Sequence, residues 1–505
     1  MALAALLVIV IVAGFPLLST GLRSIDDHEY LTYRLMNPTG SPWTALLDAS
    51  YRSIGELDEA RWRPLYHFGR SLTTALISDA TSPRYLWRLF LTAFVAWGLA
   101  TRVIKIVTPT LNDSRFRFFL ILTGGLLNLS IADWADITAR LGPQELFALF
   151  GLTITLLSLH TAPRTHHQIG MITGVLVMCG YKENFPLLAS LLLVAVLVMN
   201  KAFRRQKMIL LGIAISIVSS LISFSAVRLR GGLDVYDTDR SLKSMANSFV
   251  LLLDSVRFEW SAILLVISLA LSKRGRRPLV SWLGIFVFGL LATEWLIYGE
   301  SMDVYGRYAA VSDLAVALLL ATSLISLCAR FLDRPILKPF MLAGLIVLST
   351  ILAATVYRDL RAGANYAARE SASWIFAIDE IVGATNRTNV TDLLIVVDMH
   401  DNPGRYEKSL SLITFLSVYT TTPLNIYLAV QEPPGDAEPN ALSVGLEERS
   451  ALGEIKSRIW RTPTTQFSPL ADLTLSQRVL CVHYSSSGRD HRYSASCVES
   501  IRFTQ

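Results

Sequence analysis

Residues 1–34 read MALAALLVIVIVAGFPLLSTGLRSIDDHEYLTYR. From Ala2 to Thr20 the chain is apolar almost without interruption, and four ionisable residues then follow in a row: Asp26, Asp27, His28 and Glu29. A run of this length matches the roughly 20 helical residues that cross a bilayer. No positively charged segment precedes it, and no Ala-x-Ala site stands out before Arg23. It therefore reads as an uncleaved first span rather than a signal peptide. The acidic cluster is then tethered at a membrane surface.

The rest of the chain agrees. Of 505 residues, 52% are hydrophobic and 17% are charged, against about 25% charged in soluble domains. The mean hydropathy is +0.44. Apolar runs fall at roughly 2–20, 86–107, 115–132, 144–160, 169–180, 187–200, 208–227, 258–272, 279–298, 308–330 and 339–357, which gives about eleven spans. The predicted fold class is a polytopic α-helical membrane protein.

The net charge of +6 and pI near 9.1 do not indicate nucleic acid. There is no basic stripe with interleaved aromatic residues. The cations collect instead in alternate short connections, "TRVIKIVTPTLNDSRFR", "NKAFRRQK", "SKRGRRP" and "ARFLDRPILK". The other connections, "ADWADITARLGP", "YKENFP" and "GESMDVYGR", each hold one basic residue. The basic set belongs in the cytoplasm. The loop from Gly21 then lies outside, and an odd span count puts the segment from about 358 outside too.

That terminal segment opens with a helical pattern, "YRDLRAGANYAARESASWIFAIDEIVGA". "DLLIVVD", "LNIYLAV" and "RVLCVHY" read as short buried strands, and "RYEKSLSLITFLSVY" as a helix between the first two. The division is a membrane domain over 1–357, with a first external loop of about 21–85, and an extracytoplasmic α/β domain over 358–505. Cys179 and Cys328 fall in apolar runs as small buried side chains. Cys481 and Cys497 stand in polar surroundings, where an oxidising compartment would let them pair.

Charges at span ends are costly, so their placement carries information. Under this topology one face gathers Asp26, Asp27, His28 and Glu29; Arg61, Arg63 and His67; Asp133, Asp136, Arg140 and Glu145; Lys182 and Glu183; and Glu294, Glu300, Asp303, Arg307 and Tyr308. For one residue alone, a solvated loop charge explains the position. For the set, a cavity at the outer membrane face holding carboxylates and cations explains it better. A carboxylate there can take a proton from a hydroxyl. Arginine and lysine can hold a phosphate and neutralise charge developing on it as it leaves. Such a cavity suits transfer of a group from a lipid phosphate to a hydroxyl.

These segments resemble the GT-C glycosyltransferases, integral-membrane enzymes that use polyprenyl-phosphate sugars. "IDDHEY" resembles their first-loop acidic motif, and "RWRPLYHF" the Arg-Pro-Leu segment of the same loop in one O-mannosyltransferase branch. "TARLGPQELFALF" is similar to their Arg-x-Gly-x-x-Glu segment. "YKENFPLL" is similar to their Lys-Glu-x-x-x-Pro segment, and "YGRYAAVSDLAVALL" to the Arg-Tyr segment opening a late span. The resemblance covers roughly 1–357. It implies an inverting bacterial enzyme of mannosyl- or arabinosyltransferase type in the inner (plasma) membrane. The donor would be a polyprenyl-phosphate sugar, and the acceptor a hydroxyl of an extracytoplasmic glycan or glycolipid.

The family pattern implies roles. Asp26 or Asp27 is the general base. Arg63, Arg140, Lys182 and Arg307 are for the donor phosphate. His28, Glu29, His67, Asp136, Glu145, Glu183 and Tyr308 contact sugar or acceptor, or orient the cations. No metal or other cofactor is expected, since the WWDYG-like motif of metal-dependent oligosaccharyltransferases is missing. The tetratricopeptide repeats of the O-mannosyltransferase branch are missing too. Of the two aspartates, one can face the cavity while the other caps "HEYLTYRLM". A polysaccharide polymerase or ligase would instead place cations in the late loop "RLRGGLDVYDTDR". A transporter or flippase would place charges near the midplane and show internal repeats.

Overall fold

The computed structural model describes residues 1–23, 62–77, 80–108, 111–131, 134–142, 144–160, 163–182, 184–199, 206–229, 310–331, 335–388, 392–398, 425–431, 479–487 and 490–494, with isolated positions between them, among them Asp27, Tyr30 and Leu31. Asp26, His28, Glu29, Glu183, Arg307, Tyr308, Cys497 and most of the spans expected at 258–272 and 279–298 lie outside the described residues.

The first span is helix α1, Ala2–Gly14, tightened into a 3-10 turn over Phe15–Ser19. Pro16 has no N–H to continue the α-helical ladder. The Ser19 and Thr20 hydroxyls donate back to its carbonyl at 3.0 and 2.9 Å, which closes the end. Within the loop expected to be external, α2 (Pro64–Ile77) starts on a proline, the residue best suited to a first helical position. Next comes α3, Thr81–Val107, which begins earlier than the apolar run at 86 and so takes in Arg84 and Arg88. Its first residue, Thr81, donates to the Thr20 carbonyl at 2.6 Å and joins α3 to the end of the first span.

The chain continues through α4 (Ser114–Ile131), α5 (Trp134–Ala139), α6 (Glu145–Ser158) and α7 (Thr165–Tyr181). Then come α8 (Phe185–Met199), α9 (Lys207–Leu229) and α10 (Ala310–Phe331). Asp113 starts α4 by accepting the Arg115 and Phe116 amides, both at 3.2 Å, the usual work of an N-cap carboxylate. The short α5 is fixed by the Trp134 indole, which donates to the Asn128 carbonyl at 2.8 Å.

Among the described residues, three helical segments are long and apolar enough to cross a membrane: Ala2–Ser19, Thr81–Val107 and Lys338–Arg387. Shorter apolar helices fall at Glu145–Ser158, Phe185–Val194, Lys207–Ser223 and Val316–Ala329. Packed against α1, α4, α6 and α10, α3 is the central one. Its apolar window is 72% buried, against 33% for the first segment and 17% for the last. Val8, Val12, Val347 and Ile351 stand bare on those outer helices. Apolar faces this open belong against lipid tails.

Helices α6 and α7 cross where Gly151 meets Gly174. A Cβ at Gly151 would come 2.7 Å from the Gly174 carbonyl oxygen, and one at Gly174 just as close to that of Gly151. Small residues of this kind let membrane helices approach backbone to backbone.

The last helix, α11, is continuous over Lys338–Thr388, 51 residues. The expected boundary at 357/358 therefore falls inside an unbroken helix, and the pattern from Tyr357 onward extends the last span. Beyond it lies a four-stranded sheet: β1 (Asp392–Asp398), β2 (Asn425–Gln431), β3 (Val479–Ser487) and β4 (Asp490–Ser494). The order is β2-β1-β3-β4. The first three strands are parallel, with Asp392 opposite both Asn425 and Val479, and β4 runs antiparallel to β3. Residues 411, 412, 415, 416 and 419 are helical, as a crossover between parallel strands requires. The three expected strands occur, and β4 adds a polar edge that apolar patterning did not reveal.

Candidate functional site

The end of α5 and the short connection from it to α6 turn carbonyl groups towards the other elements. Arg88 donates to the carbonyls of Ile137 and Leu141, the latter at 3.2 Å. Arg23 donates to Ala139 at 3.0 Å, and Arg70 to Gly142 at 3.0 Å. Two phenols complete the set: Tyr30 donates to Leu141 at 3.3 Å and Tyr85 to Ala139 at 3.4 Å. Donors from the end of the first span, from α2 and from α3 thus converge on six residues of chain. A guanidinium suits this task, since it carries five N–H donors and stays charged when buried.

The arginines share aromatic partners. Tyr66 lies beneath Arg70 at 4.1 Å and Arg63 at 4.5 Å. Tyr30 lies beneath Arg84 at 3.9 Å and Arg70 at 5.1 Å. Arg63, just before α2, and Tyr66 and Arg70 within it follow at spacings of three and four, which puts them on one side. The helix meets the end of α7 closely. Gly69 leaves room for the Tyr181 hydroxyl, which a Cβ would approach to 2.5 Å, and Gly180 leaves room for Leu65.

Three carboxylates enter this group. Lys182 pairs with Glu145 at 3.0 Å, and both are buried. Next to that pair, the Gln144 amide accepts from Arg63 at 2.5 Å and donates to the Tyr181 carbonyl. Glu370, from α11, forms an ion pair with Arg23. Asp27 is 1% exposed, and its Oδ2 accepts the backbone N–H of Arg23 at 2.9 Å, closing the turn between them. The Asp27 carbonyl accepts the Tyr30 amide at 3.1 Å. Burial draws the Arg23 guanidinium down, but Glu370, Tyr85 and Asp27 outweigh it and hold it above its ordinary value.

Among the described residues, the buried charged side chains are Arg23, Arg63, Arg70, Arg84, Arg88, Lys182, Asp27, Glu145 and Glu370. All belong to this one group, linked by the contacts above. Among the described residues, six of these are cations and three are anions. Buried charge needs partners, and carbonyl oxygens and aromatic faces supply some. Clustered guanidinium and ammonium groups are the chemistry that suits a phosphate, which takes several charge-assisted hydrogen bonds at once.

Of the expected site residues that are described, Asp27, Arg63, Glu145 and Lys182 fall within the group. Asp136 and Arg140 form an i,i+4 pair at 2.8 Å with 28% of each side chain exposed, at its margin. His67 sits on α2, its ring 4.7 Å from that of Tyr66. Sequence reading missed Arg23, Arg70, Arg84, Arg88 and Glu370 as site residues. The spacing of Arg84 and Arg88, one helical turn apart, was the available signal for two of them. Among the described residues no group of three or more His, Cys, Asp or Glu stands close enough to hold a metal ion.

No family model matches the chain, and no curated protein matches it. Among solved structures it is similar to ArnT from Cupriavidus metallidurans, crystallised bound to undecaprenyl phosphate. The TM-score is 0.54 at 11% identity, over 94% of this chain and 92% of that one. The likeness is one of fold, a polytopic helical membrane architecture. Its coverage takes in most of the segment after residue 357 as well as the helical bundle.

Proposed function

We propose that this chain is a membrane glycosyltransferase of GT-C type. It takes a sugar from a polyprenyl-phosphate donor and passes it to a hydroxyl of an extracytoplasmic glycan or glycolipid. The observation that carries the reading is the cluster of buried arginines and Lys182, among the described residues, beside the turn closed by Asp27. The similar fold of a protein crystallised with undecaprenyl phosphate supports a lipid phosphate as the anion.

In the proposed reaction a first-loop aspartate, Asp26 or Asp27, takes the proton of the acceptor hydroxyl. The hydroxyl oxygen bonds to the anomeric carbon from the face opposite the donor phosphate. The bond from that carbon to the phosphate oxygen breaks, and its electron pair leaves with the polyprenyl phosphate. Configuration inverts because one displacement occurs. Arg63 and Lys182, with Arg140 at the margin and Arg307 from the late segment, hold the phosphate. The newly found Arg70, Arg84 and Arg88 add positive field and shape the connection that carries Arg140 and Glu145. Preorganised cations of this kind lower the barrier by stabilising charge as it develops on the leaving group. In this reading the site faces outward from a bacterial plasma membrane, an orientation that the loop charges support.

The test is transfer from labelled polyprenyl-phosphate hexose and pentose donors, using purified chain with native membrane glycolipids as acceptor. Wild-type transfer is expected, with a loss of about 1,000-fold or more when Asp26→Asn and Asp27→Asn are combined. Full activity in that double variant refutes the mechanism. Solute flux without transfer marks a transporter instead.

A further inference from the structure

We propose that Glu370 is a positioning residue for the acid-bearing turn, so that the last helix and the terminal sheet are part of the working site. The inference rests on the glycosyl-transfer reading for its kinetic consequence only.

The geometry is a relay within two helical turns of α11. Glu370 binds Arg23, 347 residues away in the chain. Arg23 uses one guanidinium nitrogen for Glu370, another for the Ala139 carbonyl, and its backbone N–H for Asp27. The next residue, Ser371, donates to the Leu22 carbonyl at 3.2 Å. Gly21 lies so close to this helix that a Cβ there would come 2.5 Å from Ile375 Cδ1 and 3.0 Å from Ser371 Oγ. Three consecutive residues, Gly21, Leu22 and Arg23, are therefore held against α11 immediately before the acidic cluster. Two turns earlier, Gly363 lets the helix approach Ala135 of α5, where a Cβ would come within 2.6 Å. The helix thus grips both the acid-bearing turn and the connection whose carbonyls the arginines bind.

Trp374 carries the relay outward. It stands one turn beyond Glu370, fully buried, with its ring edge-on to Phe415 at 5.4 Å. Strands β3 and β4 also pack against α11. Neither Arg23 nor Glu370 is exposed to screening, since both are buried. Removing one member of such a pair leaves the other charge buried and uncompensated, whereas neutralising both does not.

Amide hydrogen exchange on full-length chain in lipid nanodiscs tests the structural half. Glu370→Gln, which keeps the side-chain shape, is expected to raise exchange at residues 21–31 by roughly tenfold or more. Exchange in α6 and α7 should stay at the wild-type level. With the donors above, kcat should fall on the order of 10–100-fold, since misplacing a catalytic group by about 1 Å costs this much. Donor KM should stay within about twofold, because uniform donor binding is untouched. Glu370→Asp should recover part of kcat. Trp374→Ala should raise exchange over the same residues by a smaller factor. If Glu370→Gln does not yield folded chain, Arg23→Gln combined with Glu370→Gln removes both charges and is read in the same way. Unchanged exchange at 21–31, or an increase spread evenly over the bundle, overturns the proposal. Wild-type chain without any transfer overturns the glycosyl-transfer reading and leaves the exchange result to decide this one.

Discussion

Arg84 and Arg88 stand at one end of α3, Arg102 and Lys105 at the other. The first two are buried, stacked on Tyr30 or bound to the carbonyls of Ile137 and Leu141. Lys105 is exposed and Arg102 only partly covered. Their end also carries His160 and His167, with rings stacked at 3.9 Å, and a loose Lys338–Asp113 pair at 3.8 Å, both side chains more than a third exposed. One helix therefore presents a built cation network at one end and a more exposed basic fringe at the other. Counting positive residues per loop finds the fringe and gives the expected orientation. It cannot find the network, because burial and partners, not number, make charges into a site.

The sharpest way to break this contrast is Arg88→Met. Two carbonyls lose a buried donor, which costs about 3 kcal/mol at 1–3 kcal/mol for each unsatisfied group. A fall in the thermal midpoint in detergent, with loss of transfer, is expected. Lys105→Met should leave both within error. Glu145→Ala comes next. It strands the Lys182 ammonium in a buried position, a loss of about 3 kcal/mol, whereas Glu145→Ala combined with Lys182→Met should recover most of it. Arg140→Ala removes a partly exposed i,i+4 pair, worth no more than about 0.5 kcal/mol. Its thermal midpoint should barely move, so any rise in donor KM reports phosphate binding alone.

The smallest effect belongs to the fringe. Burial, with His167, Lys105 and Arg102, holds His160 below its ordinary value of 6.5. The folded state then resists taking up a proton there. Its contribution is complete above pH 6.5 and fades as the pH drops through the lower folded-state value. His160→Gln should flatten this part of the stability profile without altering transfer at neutral pH.

How much of this was legible follows from where partners lie in the chain. Asp136 and Arg140 are four residues apart on one helical face, so their pairing is local. Glu145 and Lys182 stand at facing span ends, and topology alone placed them on one side. Arg23 and Glu370 are far apart, and Glu370 lay in a pattern assigned to a separate domain, so nothing local linked them. Arg84 and Arg88 sit where an apolar run begins, a position that usually marks snorkelling to the interface. Their carbonyl partners are backbone groups, which leave no trace in residue identity. The three parallel strands were legible because each is a short apolar run. The polar β4, "DHRYS", is set by pairing with β3.

One consequence of α11 concerns the bilayer itself. At 1.5 Å per residue its 51 residues make a rod about 77 Å long, more than twice the roughly 30 Å of hydrocarbon. A span adjusts to a thinner or thicker membrane by tilting. On an unbroken rod, tilt below shifts Glu370 above, and with it the grip on Gly21, Leu22 and Arg23. Acyl-chain length would thereby be coupled to the acidic turn through the tilt of a single helix.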